Sequence, residues 1–245
     1  MDKEKRIALL IDCDNVSYKS IDGVLNELAN YGVVNIRRAY GDWKRPNLQG
    51  WEEQLHPFAI TPVQQFAYTS GKNATDSAMI IDAMDLLYSH DLDGFALMTS
   101  DSDFTPLVMR FLSSGLKVYG FGEEKTPSPF INACSQFIFI EKLIEVESAK
   151  EDKETSQAEK NKLSRSELGR DAGLVRLLRT AVEQTMEDDG WSHLGQVGKY
   201  ISNNSSFSPV NYGYKKLGEI VKVSELFEVD MRNTSSMYIK DARKK

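Results

Sequence analysis

Cysteine and histidine are scarce in this chain, with two of the first and three of the second among 245 residues. Cys13 and Cys134 lie far apart in apolar segments, so they read as buried free thiols rather than a disulfide or a metal pair. His56, His90 and His193 are isolated from one another, which leaves no Cys/His spacing of the kind zinc requires. No apolar run approaches the roughly 20 residues of a membrane span. No charged-then-apolar leader follows Met1, so a cytoplasmic protein without membrane contact is expected. The absence of a Walker loop, a Gly-x-Gly-x-x-Gly turn and a Gly-x-Ser-x-Gly elbow removes the common nucleotide-binding and serine-hydrolase plans. Positive charge is also short: 30 Lys and Arg stand against 36 Asp and Glu, a net charge of −6. That argues against nonspecific binding of nucleic acid over the whole surface, and leaves room only for a local basic groove.

What is present begins with Ile7-Ala8-Leu9-Leu10-Ile11-Asp12-Cys13-Asp14-Asn15. An unbroken apolar run of strand length, opening on two acids and an amide, reads as a central strand buried on both faces. Gly94 to Ser100 runs in the same manner into Asp101-Ser102-Asp103-Phe104. Around these runs the spacing predicts a helix from a Ser17 cap to about Tyr31, a strand over 33–41, and a loop with a short helix over 42–56. It predicts next a strand over 61–68 and a helix over 75–89 packed through Ala78, Ile81, Met84 or Asp85, and Leu86. A helix over 104–114 capped by Asp103, a strand over 116–122, a short helix over 126–133 and a last strand over 137–140 follow. Such alternation calls for an α/β fold, a mostly parallel sheet with helices on both faces.

Residues 147–164 mix both charges with almost nothing to bury, and read as a linker between a first domain over 1–146 and a second over 165–245. In the second, Leu174, Leu177, Leu178, Ala181 and Val182 form one amphipathic stripe. Leu194, Val197 and Ile201 form another, and Leu217, Ile220 and Val221 a third. Ser208-Pro209 has the layout of a helix start, and short strands are expected around 227–229 and 237–239. Three helices and a terminal hairpin make a small winged helix-turn-helix domain, a common nucleic-acid-binding plan.

Ligands of open α/β sheets bind at the carboxyl ends of the strands, so Asp12, Asp14, Asp76, Asp101 and Asp103 are expected to gather there. Like charges so placed repel, and something must compensate, either a cation or a shared proton. An all-oxygen site suits Mg2+ or Mn2+, and ions held this way most often act on phosphate. Taken singly, each acid reads equally as a helix cap or a solvated loop residue, Asp76 as a first-turn acid favoured by the helix dipole. Asn15 reads either as an Asx-turn or as an orienting amide in the pocket. Lys44 and Arg45, beside Trp43 and Trp51, suit phosphate pairing and base stacking, or else a surface helix whose tryptophans cap the core. Asp12-Cys13-Asp14 also has the Asp-x-Asp form of a haloacid-dehalogenase phosphatase, whose further acid Thr105, Pro106 and Leu107 do not supply.

Ile11 to Asn15, Gly71-Lys72 with Asp76, and Thr99 to Phe104 followed by Pro106-Leu107 together resemble the NYN domain, a branch of the PIN-like nucleases, over about residues 5–145. The resemblance implies a metal-dependent endoribonuclease in which Asp12, Asp76 and Asp101 hold the metal and Asp103 supports it. Asn15 and Asp14 would line the same pocket. Lys72 is read as a phosphate contact, a role the family itself does not supply. The stretches Gly190 to Gly198, Phe207-Ser208-Pro209, Tyr212 to Val221 and Phe227-Glu228-Val229 resemble the LOTUS or OST-HTH domain over about 171–242. That likeness implies RNA binding, in some members of G-rich RNA. Lys199, Tyr212, Tyr214, Lys215 and Lys216 then fit phosphate and stacking contacts, or a solvated helix face. The expected partner is single-stranded or structured RNA, and the alternative to a ribonuclease is a non-catalytic RNA-binding scaffold that retains the acidic pocket.

Overall fold

The computed structural model describes residues 4–66, 74–144, 162–232 and 236–243. The chain divides into two compact units, Met1–Ser148 and Ala149–Lys245. In the first, β1 (Arg6–Asp12), β2 (Val33–Gly41), β3 (Thr61–Gln64), β4 (Gly94–Met98), β5 (Lys117–Gly122) and β6 (Gln136–Phe139) form one sheet. Its order is β3-β2-β1-β4-β5-β6 and every pairing is parallel. Parallel neighbours cannot be joined by a tight turn, and the crossovers carry α1 (Ile21–Leu28), α2 (Gln49–Leu55), α3 (Ala74–Ser89), α4 (Thr105–Ser113) and α5 (Ser128–Ala133).

β1 is central, and every residue from Ile7 to Asp12 is buried, which is why its sequence is a continuous apolar run rather than an alternation. Ala8 and Leu10 pack with Phe95, Leu97, Val118 and Phe137 against α3, α4 and α5. The two-residue period sends Ile7, Leu9 and Ile11 to the opposite face. On that face Tyr31, just past α1, stacks on Tyr119 of β5 with ring centroids 4.6 Å apart. Under α4, Phe111 stacks on Phe95 at 3.8 Å, and trimming either ring to alanine would cost about 3–5 kcal/mol.

Several local expectations need correction. α3 packs through Met79, Ala83 and Leu86, not through Ala78 and Ile81, and Ile81 is 63 % exposed. Apolar residues surround this helix, so their period alone cannot select a face. A polar clamp coincides with the chosen face: Asp82 accepts hydrogen bonds from Arg38 and Tyr40 of β2 and so holds Met79, Ala83 and Leu86 against the sheet. Ser17 caps only the 3-10 turn Tyr18–Ser20, and α1 starts after it. The acid that caps the turn ahead of α4 is Asp101, not Asp103. β3 ends at Gln64, and the remainder of the predicted strand falls partly in 67–73, outside the described residues. Cys13 and Cys134 are both buried free thiols.

The second unit holds α6 (Arg165–Arg170), α7 (Ala172–Gln184), α8 (Leu194–Asn204) and α9 (Leu217–Ser224). β7 (Ser192–His193), β8 (Phe227–Arg232) and β9 (Ser236–Asp241) form an antiparallel sheet in the order β7-β9-β8. The three predicted stripes meet in one core, where Leu178, Val197, Ile201, Ile220 and Val221 pack with Phe227 and Ile239. Ser208-Pro209 starts a 3-10 turn rather than a helix. α6 opens on a capping box between Ser164 and Glu167, a signal hidden inside the charged run. No helix among the described residues is long and apolar enough to cross a membrane.

Candidate active site

The strand order reverses between β1 and β4. β1 continues through α1 to β2 on one side, while β4 is reached from the far edge through α3. At such a point the loops leaving adjacent strands diverge and open a crevice at their carboxyl ends. Asp12 closes β1, Thr99 follows β4, and Asp101 and Asp103 lie on the loop and 3-10 turn beyond it. Asp76 comes in on the first turn of α3.

Asp12 is fully buried. Its Oδ2 accepts from Asn15 Nδ2 at 2.7 Å and from Thr99 Oγ1 at 2.8 Å, while its Oδ1 is buried with no hydrogen-bond partner. Burial pushes the carboxyl above its ordinary range, and the two donors pull part of the way back. Asp76 is pushed up to about 6, by burial first and then by the charges of Asp12, Asp101, Asp103 and Asp14. All five carboxylates therefore share one electrostatic neighbourhood.

Hydrogen bonds lace the loops around them. The Asp101 backbone N–H donates to Thr99 Oγ1 at 3.1 Å, and Asp101 Oδ1 accepts from the Asp103 N–H at 2.8 Å. Thr75 Oγ1, at the head of α3, donates to the exposed Asp14 Oδ2 at 3.4 Å. Thr99 is the member that sequence reasoning missed. It opens the Thr99 to Phe104 stretch, and its signal was a hydroxyl lying two places before an acid at a strand exit.

Among the described residues no group of three or more His, Cys, Asp or Glu side chains is disposed to hold a metal ion. The fit to a divalent ion lies in the donor chemistry. Asp12 Oδ1 is a buried acceptor without a donor, an arrangement that costs about 1–3 kcal/mol and that a proton or a hard cation would relieve.

Lys72 lies outside the described residues. Lys44 is exposed with its ammonium over the Phe66 ring at 4.8 Å, and Arg45 pairs with Asp42 at 3.7 Å. Trp51 is buried, its Nε1 donating to the Val16 carbonyl at 3.2 Å, so this indole caps the core. In the second unit Lys199, Lys215 and Lys216 are exposed, and the Tyr212 hydroxyl donates to Asp171 Oδ2 at 3.3 Å. Tyr214 does not fit the stacking role expected of it. It is 3 % exposed, its hydroxyl donates to the Leu163 carbonyl at 2.6 Å, and the Lys162 ammonium lies 5.5 Å from its ring centroid.

The uncharacterised protein MJ0482 of Methanocaldococcus jannaschii is 28 % identical over 139 residues, 55 % of either chain, so this chain spans about half of that relative's length. The crystal structure of a protein of unknown function from Vibrio parahaemolyticus, VPA0982, is similar at a TM-score of 0.47 and 20 % identity. It covers 57 % of this chain and 95 % of that one. The NYN domain family matches residues 6–141 and the OST-HTH/LOTUS family residues 169–239. NYN domains are part of the PIN-like nuclease superfamily, which generally uses divalent metals, and the LOTUS match points to RNA binding. Since the first match takes in more than half of its residues, the chain belongs to the NYN domain family and carries an OST-HTH/LOTUS domain after it.

Proposed function

We propose that this protein is a cytoplasmic endoribonuclease that uses Mg2+ or Mn2+ to hydrolyse RNA phosphodiesters, with its LOTUS domain holding the RNA. The observation that carries this reading is the bare Oδ1 of Asp12, buried at the strand-order reversal beside an Asp76 carboxyl pushed up to about 6. Asp12, Asp76 and Asp101 would hold the ion and Asp103 would support it. A bound ion supplies an activated water and stabilises the leaving oxygen. The chain's own part is positioning. Thr99 and Asn15 fix one oxygen of Asp12, so the other is presented in a set direction. Asp14 accepts from Thr75 at the head of α3, which links the loop after β1 to the turn that carries Asp76. Below about pH 6 a proton on Asp76 would relieve the crowding, and an ion held there would compete with it.

Lys44, Arg45 and Lys72 would meet phosphates beside the cut, and Lys199, Tyr212, Lys215 and Lys216 would hold RNA on the second domain. A linker over 147–164, between domains over 1–146 and 165–245, raises the local concentration of substrate at the acids. The test is incubation of labelled single-stranded RNA with wild type and Asp101→Asn, with Mn2+ and with EDTA. Cleavage that needs the metal and vanishes in the variant supports the ribonuclease. Binding without cleavage selects a scaffold, the reading favoured by the lack of a ready three-ligand group among the described residues.

A further inference from the structure

A cavity of about 320 Å³ opens in the second unit between the C-terminal half of α7, the turn that follows it and the end of β9. Val182, which is buried, and Met186, which is 49 % exposed, give it an apolar wall. Gly190 lies in the turn at a φ of 81°, its N–H donating to the Glu187 carbonyl at 2.9 Å. It brings no side chain into the space, and a Cβ there would stand 4.0 Å from Lys240 Cε.

The opposite wall is organised around one acid, Asp241, which is 6 % exposed. Its Oδ1 accepts from the Arg243 backbone N–H at 3.1 Å and from Arg243 Nε at 3.2 Å, and its Oδ2 accepts from Arg243 Nη2 at 2.9 Å. Arg179 Nε lies 3.4 Å from the same Oδ2. One carboxylate fixes two guanidinium groups in this way without saturating them, since each carries five N–H donors. The Nη groups of Arg179 and the Lys240 ammonium have no partner among the described residues. Arg179, Lys240 and Arg243 set three positive charges against those of Asp241 and Glu183, an excess of one.

Small-molecule pockets begin at about 300 Å³ and combine an apolar wall with a few directed polar groups. The charge excess calls for a ligand with one negative charge, and Val182 and Met186 call for an apolar body beside it. A carboxylate matches a guanidinium fork with two parallel N–H bonds and a single charge. A phosphate monoester carries nearly two charges and would leave the site negative. A phosphodiester has a sugar on either side, where this wall offers no polar partner.

We propose that the cavity binds an apolar monocarboxylate, its carboxylate on Arg179 and Lys240 and its tail against Val182 and Met186. A free organic acid and the C-terminal residue of a peptide both present that chemistry. No acid of the first unit takes part, so the site stands apart from the ribonuclease reading.

The test titrates the full chain, with its methionine methyl groups labelled for NMR, with hexanoate as the free acid and N-acetyl-leucine as the peptide end. N-acetyl-leucinamide is the uncharged control. At least one acid is expected to shift the Met186 methyl resonance, and the amide to bind roughly 10-fold or more weakly. Tighter binding of hexanoate assigns the site to free acids, and tighter binding of N-acetyl-leucine to a peptide end. Lys240→Met keeps the stem and removes the charge; it is expected to weaken the acid roughly 10-fold or more while the melting temperature of the ligand-free chain holds. No Met186 shift with either acid at millimolar concentration, equal binding of the amide, or equal affinity in Lys240→Met would overturn the proposal. So would binding of uridine monophosphate or the dinucleotide UpU in preference to both acids, which would make this a phosphate site.

Discussion

Thr99 Oγ1 donates to Asp12 Oδ2 at 2.8 Å, joining the exits of β4 and β1 through residues 87 positions apart. The same oxygen accepts from the Asp101 N–H at 3.1 Å, so one small side chain ties the buried acid to the loop bearing the next one. Thr99→Val keeps the shape and removes both bonds. Urea denaturation at neutral pH should show a loss of about 1–3 kcal/mol, and Thr99→Ser should recover most of it. The deficit should narrow at low pH, where a protonated Asp12 no longer needs its donors. A neutral Thr99→Val would mean that water replaces the hydroxyl.

Asp76 sits near 6 against an ordinary carboxyl value of 3.8. Between those values the folded protein keeps a proton that the unfolded chain has released, so stability falls as pH rises through that window. Asp12, also pushed up, adds to the slope in the same sense. Melting curves in EDTA should therefore drop from about pH 4 to pH 6, and Asp76→Asn should flatten the profile. Saturating Mg2+ or Mn2+ should restore the wild-type midpoint at neutral pH and do little for Asp12→Asn. A profile that is level, or that rises with pH in the wild type but not in Asp76→Asn, would contradict the crowding of these acids.

Lys215 and Lys216 are exposed at the entry to α9. Replacing both with alanine should weaken RNA binding by similar factors across sequences and reduce the slope of log K against log salt by about 1.4 for single strands, as measured by titration at several salt concentrations. An unchanged salt slope would remove them from the interface.

Tyr214 provides the contrast. Tyr214→Phe removes the bond to the Leu163 carbonyl and should lower the stability of the second unit by about 1 kcal/mol, while leaving RNA affinity unchanged. A tenfold fall in affinity with normal stability would return this ring to the binding surface.

The large divisions were readable because they follow from coarse physics. A strand buried on both faces needs an unbroken apolar run, and Ile7 to Ile11 and Phe95 to Met98 supply two of them, each followed by acids. A parallel sheet then brings those exits to one edge whatever their separation along the chain. What escaped depends on single contacts. α3 carries apolar side chains all round, so the face it buries is marked by Asp82 meeting Arg38 and Tyr40, a pairing that no local pattern announces. Asp101 and Asp103 are equally good caps by type, and backbone direction selects the first. Tyr212 and Tyr214 look alike in sequence, and the core takes the whole ring of one of them.

β1 and β4 are partners in the sheet while the chain between them builds an entire flank of it. A half-assembled sheet can hold either flank without bringing Asp12 next to Asp101, which postpones the clash of like charges until the seam closes. A divalent ion held by Asp12, Asp76 and Asp101 would have its full set of carboxylates only from that moment. It would then act as a latch on the completed fold, slowing its opening while leaving the earlier steps of assembly at their own pace.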